Sequence, residues 1–482
     1  EGDNWLVRDG EFIVRPGTKT FATDTNQRPM GYVQYEHNDG ALRTVKGTIV
    51  GWWKYVPGSN TWSDITEGGK ELTGTILEQT VFRVFQKAGT TTLLGVNGKD
   101  VPKKWDGDTA TYLDMAGSPP KAKCIAISAD RILLANLLSG GTISPVAIDV
   151  SANKDFDSGW GNVQVSLLAD TPGDIISMME LGNLVTAIYK TDAIYVSVAQ
   201  GGPAPFAYQL KRAAKGLGPV SPLAVAQGPE GIHVYLARDS TLKIFDGVAP
   251  RSLADHIDKH IKKTIDEDNS DIGFIFYDEN RKEVWVIYPS VGSTNPNAGF
   301  ILNIKTLALW PISWGTLRMT AGASLFVDTG LTIGDLTGTI GSQSGTIGAY
   351  GTRVRRTILG DIGGESFEDV GNTDDGVAIT TLWETGVSDG GQSRQQKTVK
   401  EIFHQFPKTA NTQNVTVKLG KALDGQERVL DAGKVIDISG TPPFVSQHRQ
   451  TGNGFSLRIE ASTTEPVKYK GAAITSTKRG IR

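Results

Sequence analysis

The chain has 482 residues, of which 39% are hydrophobic and 21% charged, and its formal net charge is −3. This length exceeds one ordinary hydrophobic core, so two or three domains or a repeat architecture are expected, while the composition excludes disordered and fibrous classes. Because Lys and Arg are scattered among Asp and Glu, no broad basic field exists to hold nucleic acid, and tight, sequence-independent DNA binding is not expected.

The single cysteine and the apolar runs exclude further classes. Cys124 has no partner for an intramolecular disulfide, and its place in an apolar run predicts a small buried side chain rather than a nucleophile. No apolar stretch reaches the roughly 18 residues of a membrane helix, and the densest run, 132–138, has the length of a buried strand. The first residues show no secretion signal, and the missing initiator Met leaves processing of this end open.

Short strand runs separated by turn residues dominate the chain up to residue 314, and the 57 glycines indicate many turns. The run 47–66, GTIVGWWKYVPGSNTWSDIT, predicts a strand, a Pro-Gly-Ser-Asn turn and a second strand. Hairpins with Ala-Gly, Asn-Gly and Asp-Gly turns are predicted next along the chain, because Asn-Gly and Asp-Gly adopt positive φ at little energetic cost. Similar pairs of runs occur at 124–137, 184–198, 232–253, 274–289 and 299–314.

Two phrases of these hairpins are nearly the same. KKWDGDTATYL occupies 103–113 and KIFDGVAPRSL occupies 243–253; each has an aromatic residue, then Asp-Gly, then a short run ending on Leu. Each pair of hairpins has about 40 to 50 residues, which is the repeat length of propeller blades. A single four-stranded meander cannot bury both of its faces, but several meanders stacked radially can. The two phrases are therefore interpreted as equivalent hairpin turns in different blades.

Helix is scarce, and the later part of the chain changes character. One helix is expected over 252–268, where apolar residues recur at four-residue spacing, and it is expected to pack on the outside of a blade. The phrase T-I-G at 332, 339 and 346 predicts a looped or turn-broken ladder. The acidic, Gly-rich run 360–376 is interpreted as an exposed loop and a domain boundary.

The predicted fold class is all-β, with a β-propeller-like body of repeated meander blades and a C-terminal β-sandwich. The sandwich is predicted because the last hundred residues alternate strands with turns at sandwich-like spacing. The predicted domains are an N-terminal extended segment at 1–34, the β-propeller-like domain at 35–350, a Gly-rich acidic linker or loop at 351–376 and the β-sandwich at 377–482.

No motif supports catalysis, so we assign no catalytic, cofactor-binding or metal-binding residue. His256 and His260 have the i, i+4 spacing that chelates a metal on a helix, but a Glu after the first His and a third ligand are missing, which favours a surface helix. The runs 155–159 and 266–273 resemble incomplete calcium loops, and solvated turns are favoured. RVRR at 353–356 is the one dense basic spot, and a solvated strand end is favoured over a phosphate contact.

A carbohydrate-active propeller, either a glycoside hydrolase or a lectin, is the alternative function. Such a site needs converging carboxylates and stacked aromatic side chains, for which Trp52, Trp53 and Trp62 are the local source. The run 58–64 matches the aspartate-containing turn of sialidase blades poorly, because it lacks the Asp and misplaces the Gly. Packing between strands is the preferred interpretation of the three tryptophans.

Several other phrases match one known group of proteins. They are Arg-Pro-Gly-Thr within WLVRDGEFIVRPGTKTF (5–21), FIFYDENRKEVWVIYP (274–289), GFILNIKTLALW (299–310), the T-I-G repeats, WETGVSDGGQSRQQKTVKEI (383–402) and the terminal KRGIR. With these phrases the chain resembles the tail nozzle, or tail tubular protein B-like, hub proteins of short-tailed bacteriophages. The resemblance covers most of the chain, but the chain is shorter than the larger nozzle proteins, so its position in the tail stays open.

The resemblance implies a β-propeller with an added β-rich domain, assembled as a ring, usually a hexamer, around the channel through which the genome leaves. We therefore expect a structural virion protein of the phage tail, not an enzyme, assembled in the host cytoplasm and contacting portal or tail adaptor proteins and tail fibres. Genomic DNA is expected to pass without specific binding, since a strongly basic lining would hold a polyanion. The loops 332–376 and 290–299 are candidates for a gate or an intersubunit contact. No cofactor and no membrane segment are expected.

Overall fold

The computed structural model describes residues 2–8, 11–22, 26–57, 59–139, 141–158, 160, 166–200, 208–328, 353–385, 397–422, 429–452, 454–464 and 467–478. The chain divides into two compact units. The first, here called the body, comprises Thr20–Leu309 and Leu317–Glu368. The second, here called the terminal unit, comprises Glu1–Lys19, Trp310–Thr316 and Asp369–Arg482.

The predicted all-β class is confirmed, because strands dominate both units and the described residues form a single α-helix. No helix in the described part of the chain is long and apolar enough to cross a membrane. The segment 1–34, predicted to be extended, contains short strands: β1 (Gly2–Asp3), β2 (Trp5–Arg8), β3 (Glu11–Val14) and β4 (Thr18–Ala22).

Six four-stranded sheets follow in chain order, each with consecutive strands as neighbours. Sheet I contains β5 (Pro29–Glu36), β6 (Leu42–Thr48), β7 (Trp52–Val56) and β8 (Thr61–Asp64). Sheet II contains β9 (Val81–Lys87), β10 (Thr90–Val96), β11 (Lys103–Trp105) and β12 (Leu113–Asp114). Sheet III contains β13 (Lys121–Ser128), β14 (Arg131–Ser139), β15 (Thr142–Val150) and β16 (Ser166–Leu167).

The next three sheets have the same plan. Sheet IV contains β17 (Ile175–Gly182), β18 (Val185–Lys190), β19 (Ala193–Ala199) and β20 (Tyr208–Lys215). Sheet V contains β21 (Val225–Gln227), β22 (His233–Ala237), β23 (Thr241–Phe245) and β24 (Arg251–Ser252). After helix α1 (Asp255–Thr264), sheet VI contains β25 (Phe274–Asp278), β26 (Glu283–Tyr288), β27 (Ala298–Asn303) and β28 (Leu309–Ser313).

A seventh sheet completes the body. Sheet VII contains β29 (Met319–Asp328), β30 (Arg353–Asp361) and β31 (Ser366–Asp369), and β4 follows β31 in the strand order. Phe21 of β4 lies in the body and stacks on Tyr55 of sheet I, with 4.6 Å between ring centroids. The T-I-G repeats lie outside the described residues.

Each sheet packs a hydrophobic face on the sheet that follows it. The cluster between sheets I and II includes Trp52, Phe82 and Trp105, and similar buried clusters lie between sheets II and III, III and IV, IV and V, and V and VI. The first strand of each sheet contacts the first strand of the next sheet, and β29 of sheet VII contacts β5 of sheet I. In order, these strands are β5, β9, β13, β17, β21, β25 and β29. The order of neighbouring sheets therefore returns to its start; closure around one axis as a propeller stays a prediction.

The two repeated phrases occupy equivalent places, as predicted. Each joins the third strand of a sheet to the fourth, β11 to β12 in sheet II and β23 to β24 in sheet V. In each, the Asp side chain accepts the backbone N–H of the residue two positions later. Asp106 accepts the N–H of Asp108, and Asp246 accepts the N–H of Val248. The following glycines have φ of +91° and +95°, the left-handed region that glycine adopts without strain.

The predicted helix is confirmed but shorter. Helix α1 covers Asp255–Thr264, and its buried residues, Ile257 and Ile261, belong to the hydrophobic cluster that sheets V and VI share. Ile265 is also buried, beyond the end of the helix. The four-residue spacing thus marks the face that the helix packs against the sheets.

The run 360–376 differs from the predicted exposed loop. It contains β31 and β32 (Thr373–Asp374), and Phe367 is fully buried. Acidic residues of the run, Asp369 and Asp374, are buried as well. The composition suggested exposure because carboxylates are seldom buried unless they are paired, and pairing is not visible in a sequence. One of the four points at which the chain passes between the two units lies inside this run, after Glu368.

The terminal unit joins both ends of the chain around one hydrophobic core. One sheet has β33 (Val377–Glu384) at its centre, between β1 and β39 (Gly454–Thr463), and continues through β35 (Asn414–Ala422) to β36 (Val429–Leu430) and β37 (Lys434–Asp437). A second contains β34 (Lys397–Gln405), β38 (Phe444–Gly452) and β41 (Gly471–Lys478), and a third contains β2, β3 and β40 (Lys468–Tyr469). The segments 1–34 and 377–482, predicted as separate domains, thus contribute to one unit.

Candidate functional site

Polar side chains of the body form hydrogen bonds between sheets that are not consecutive in the chain. Arg83 of β9 donates through Nε to both carboxylate oxygens of Glu180 on β17, at 3.0 and 3.1 Å, although sheet III lies between them in sequence. Its Nη2 also donates to the Met178 carbonyl at 3.0 Å. Gln79, which precedes β9, accepts the backbone N–H of Leu223, which precedes β21, at 3.1 Å.

Glu180 accepts hydrogen bonds from residues of three other sheets. Besides Arg83 of sheet II, its carboxylate accepts the backbone N–H of Ile127 on sheet III at 2.6 Å. Its backbone carbonyl accepts Nε2–H of His233 on sheet V at 3.0 Å. Glu180 is therefore a junction of four sheets, and the charge-assisted bond between its carboxylate and Arg83 is stronger than a neutral one.

His233 is held as a neutral imidazole at this junction. It is fully buried, and because a carbonyl can only accept, Nε2 must carry the proton while Nδ1 accepts the Tyr189 hydroxyl at 2.8 Å. Burial lowers the pKa of His233 to about 4. The same burial raises the pKa of the Tyr189 hydroxyl well above its ordinary value.

Gln34 joins the first and last sheets of the body. Its amide nitrogen donates to the Phe326 carbonyl and its amide oxygen accepts the Phe326 N–H, both at 2.7 Å, so the side chain pairs with β29 as a neighbouring strand would. The same nitrogen donates to Thr44 Oγ1 at 2.7 Å. Nearby, Thr320 donates to the Pro29 carbonyl at 2.7 Å.

Replacement of Gln34 by alanine is expected to loosen this junction by about 1–2 kcal/mol, because both backbone groups of Phe326 lose their partner. Hydrogen exchange should accelerate in β5 and β29 and stay unchanged in β17. Gln86→Ala is the matched control, since the Gln86 amide contacts only Thr91 within sheet II, at 3.4 Å. Equal acceleration in β29 for both variants would contradict the prediction.

The Arg-Pro-Gly-Thr phrase lies at a buried polar node of the terminal unit. Arg15 uses all five N–H donors: Nε bonds Asn4 Oδ1 at 2.8 Å, Nη1 bonds the Pro16 carbonyl and Asp374 Oδ1 at 2.9 Å, and Nη2 bonds the Ser313 carbonyl at 2.7 Å and Asp374 Oδ2. Thr18 Oγ1 also donates to Asp374, at 3.3 Å. The node thus joins the N-terminal segment, the 310–316 segment and β32.

Glycine is required between Arg15 and Thr18. A Cβ on Gly17 would lie 2.1 Å from the Thr373 carbonyl oxygen, which belongs to the backbone and cannot move aside. Gly17 also donates its N–H to the Gly371 carbonyl at 2.9 Å, and Thr18 pairs with Asp374 in a parallel register. The phrase on which the family resemblance rests therefore has a structural role in this chain.

The basic run 353–356 is the start of β30 and borders a surface cleft of about 460 Å³. The Arg355 guanidinium lies 4.4 Å from the Phe326 ring centroid, and its Nη1 pairs with Glu279 at 3.2 Å. Arg353 is exposed. The favoured interpretation, a strand end, is thus confirmed. The cleft is lined by Glu279, Asn280, Lys282, Phe326, Arg353, Val354 and Arg355.

The two runs that resemble calcium loops both form turns. In 155–158 the carboxylates bind lysines of sheet II: Asp157 accepts Lys87 at 3.1 Å and Lys104 at 2.7 and 2.8 Å. The hydrogen bond from Lys87 lowers the pKa of Asp155 to about 2. The predicted turn is present, since Asp155 accepts the Asp157 N–H at 3.0 Å. Its ion pairs with Lys87 and Lys104 were not predicted, because these lysines are distant in sequence. In 266–273 the predicted turn is confirmed, with Asp266 accepting the Asp268 N–H.

Among the described residues, His256 and His260 belong to no group of three possible metal ligands. His256 is exposed, and its Nε2–H donates to the Leu307 carbonyl at 3.1 Å. Trp52 and Trp62 are buried in hydrophobic clusters, as the packing interpretation predicted. Cys124 is buried as predicted, and burial raises the pKa of its thiol to about 12.

Of the two loops proposed as gates or contacts, 290–299 is fully described and 332–376 only from residue 353. Ser290 donates its N–H to Asn297 Oδ1 at 2.9 Å, which closes the loop on itself, and Val291 is 71% exposed. In the part of the chain that the structure describes, one group has metal-ligand geometry, formed by His37, Asp39 and Asp108. Sequence reasoning missed this group because its members lie in turns of two sheets.

No protein-family model matches the chain, and no curated protein sequence matches it either.

Proposed function

We propose that this chain is a structural, non-enzymatic protein of a short-tailed bacteriophage tail, a nozzle or hub that forms a ring around the DNA exit channel. The ring is expected to contain six copies, to contact portal or tail adaptor proteins and tail fibres, and to belong to the virion. Support for the family comes from the sequence phrases, of which Arg-Pro-Gly-Thr is built into the fold by the Arg15 node.

We also propose that sheets I to VII close around one axis as seven blades of a propeller. Support comes from the succession of first strands that returns from β29 to β5, and from the Gln34 bonds at that return. Strand β4 beside β31 would complete the last blade with N-terminal residues, an arrangement that fastens a propeller because blades contributed by both ends of a chain resist opening.

The observation that carries the functional proposal is the set of hydrogen bonds that join non-consecutive sheets of the body. Arg83 of sheet II bonds Glu180 of sheet IV, and Gln79, which is only 2% exposed, accepts the backbone N–H of Leu223. A body cross-linked in this way suits a rigid wall element. In the proposed ring, the channel lies between copies of the chain. A net charge of −3 is compatible with a polyanion sliding past.

The mass of the purified protein in solution tests the proposal. Light scattering over a range of concentrations is expected to show an assembly of about six chains, in equilibrium with smaller species at low concentration. A strict monomer at every concentration, with retention on immobilised glycans, would overturn the ring and favour the carbohydrate-active alternative.

A further inference from the structure

A buried histidine lies between two aspartates where turns of sheets I and II meet. His37 and Asp39 belong to the turn between β5 and β6, and Asp108 follows Asp106-Gly107 in the turn between β11 and β12. The backbone of the second turn lies directly against the imidazole, because a Cβ on Gly107 would lie 2.8 Å from His37 Cδ2. The position is thus fixed by the packing of two sheets and not by one loop alone.

One nitrogen of the imidazole, Nδ1, has no hydrogen-bond partner. His37 is 6% exposed, and its Nδ1 is buried with no hydrogen bond. Asp39 Oδ1 lies 3.2 Å from Nδ1, and Asp108 Oδ2 lies 3.6 Å from Nε2, but neither pair has the geometry of a hydrogen bond. A buried nitrogen left in this state is costly, and a bound cation would satisfy it.

Arg43 orients both carboxylates from behind. Its Nη2 lies 2.7 Å from Asp39 Oδ2 and 3.3 Å from Asp108 Oδ1, and its Nε donates to the Gly107 carbonyl at 3.1 Å. The other two oxygens face the imidazole; they are Asp39 Oδ1, which also accepts the Ala41 N–H at 2.8 Å, and Asp108 Oδ2. Partners of this kind behind the ligands are usual at metal sites, where they fix ligand orientation.

We infer that His37, Asp39 and Asp108 form a divalent-metal site that takes Zn²⁺. Imidazole nitrogen and carboxylate oxygen are both zinc donors, at about 2.0–2.2 Å, and three protein ligands leave an open fourth position. The three donor atoms already lie within 4.8 Å of one another, and tetrahedral coordination requires separations of about 3.4 Å. The Asp39 and Asp108 side chains are 49% and 67% exposed, so they can rotate over this distance.

Such an ion would fasten the turn of sheet I to the turn of sheet II. The guanidinium remains beside the outer oxygens, and the net charge of the two carboxylates and Arg43 before binding is −1. The site is independent of the proposed tail function.

Calorimetric titration of metal-free protein with ZnCl₂, together with thermal unfolding, tests the inference. The unaltered chain is expected to bind one Zn²⁺ and to gain in Tm, whereas Asp108→Asn should lose about tenfold or more in zinc affinity and most of the Tm shift. Asp108 is exposed, so the amide should leave the fold intact.

Two control variants keep the test specific. Asp130→Asn changes an exposed carboxylate near Lys154, and His256→Gln removes one member of the i, i+4 histidine pair; both are expected to bind zinc as the unaltered chain does. The inference would be overturned if the unaltered chain bound no zinc, if Asp108→Asn bound it equally well, or if His256→Gln abolished binding.

Discussion

Replacing Arg15 with methionine is expected to destabilise the terminal unit by about 3–5 kcal/mol, the usual effect of removing one partner of a buried ion pair. Asp374 would stay buried with only the hydroxyl of Thr18 as a partner at this node, and the Asn4 side chain and the Ser313 carbonyl would each lose a donor. Hydrogen exchange in β35 and β39, at the centre of this unit, measures the loss. Arg449→Met, which is exposed on β38, is expected to change stability by less than about 0.5 kcal/mol.

A double variant separates the unpaired charge from the lost packing. Arg15→Met with Asp374→Leu removes both charges, so it is expected to regain part of the stability that Arg15→Met loses, since apolar replacement of a whole buried pair is often tolerated. If the double variant were as unstable as the sum of the two single variants, the ion pair would not be the source of the stability. If Arg15→Met exchanged like Arg449→Met, the node would have no structural role.

Stability of the body is expected to fall as the pH drops from about 6.5 to 4, through His233. The folded pKa of about 4 lies below the ordinary value of 6.5, so between these values the unfolded chain binds more protons than the folded one, and stability decreases with decreasing pH. One such histidine accounts for about 3 kcal/mol over the full window, at a slope of up to about 1.4 kcal/mol per pH unit.

Urea unfolding between pH 4.5 and 7.5 measures this dependence. His233→Gln, which retains an amide donor for the Glu180 carbonyl, should be less stable at neutral pH but have a flatter pH dependence in the body. His256→Gln at an exposed position should retain the slope of the unaltered chain. His404, whose pKa burial also lowers to about 4, adds a similar dependence to the terminal unit, so the body must be followed by its own hydrogen exchange. An unchanged slope in His233→Gln would contradict the prediction.

Local features of the sequence predicted a good part of the fold. The two Asp-Gly phrases indicated equivalent turns because side-chain capping and positive φ are properties of a few neighbouring residues, and the structure places both between third and fourth strands. The stripe on α1 indicated a packed helix for the same reason. These patterns need no knowledge of distant partners.

Features that depend on distant partners were not predictable. Arg15 and Asp374 are 359 residues apart, and Arg83 and Glu180 are 97 apart, so neither pair has a sequence signature. The acidic run 360–376 was interpreted as exposed because its burial depends on pairing within the fold, as for Asp374. The His37 group had a faint signal, since His-Asn-Asp-Gly at 37–40 and Asp-Gly-Asp at 106–108 are both turn phrases rich in possible ligands.

Negative-stain electron microscopy of the assembled protein tests the structural ring role most directly. Class averages are expected to show rings with an open centre wide enough for duplex DNA, because the proposed channel lies between copies of the chain. Single particles at high concentration, or closed assemblies without a central opening, would contradict the proposal that this chain lines a channel.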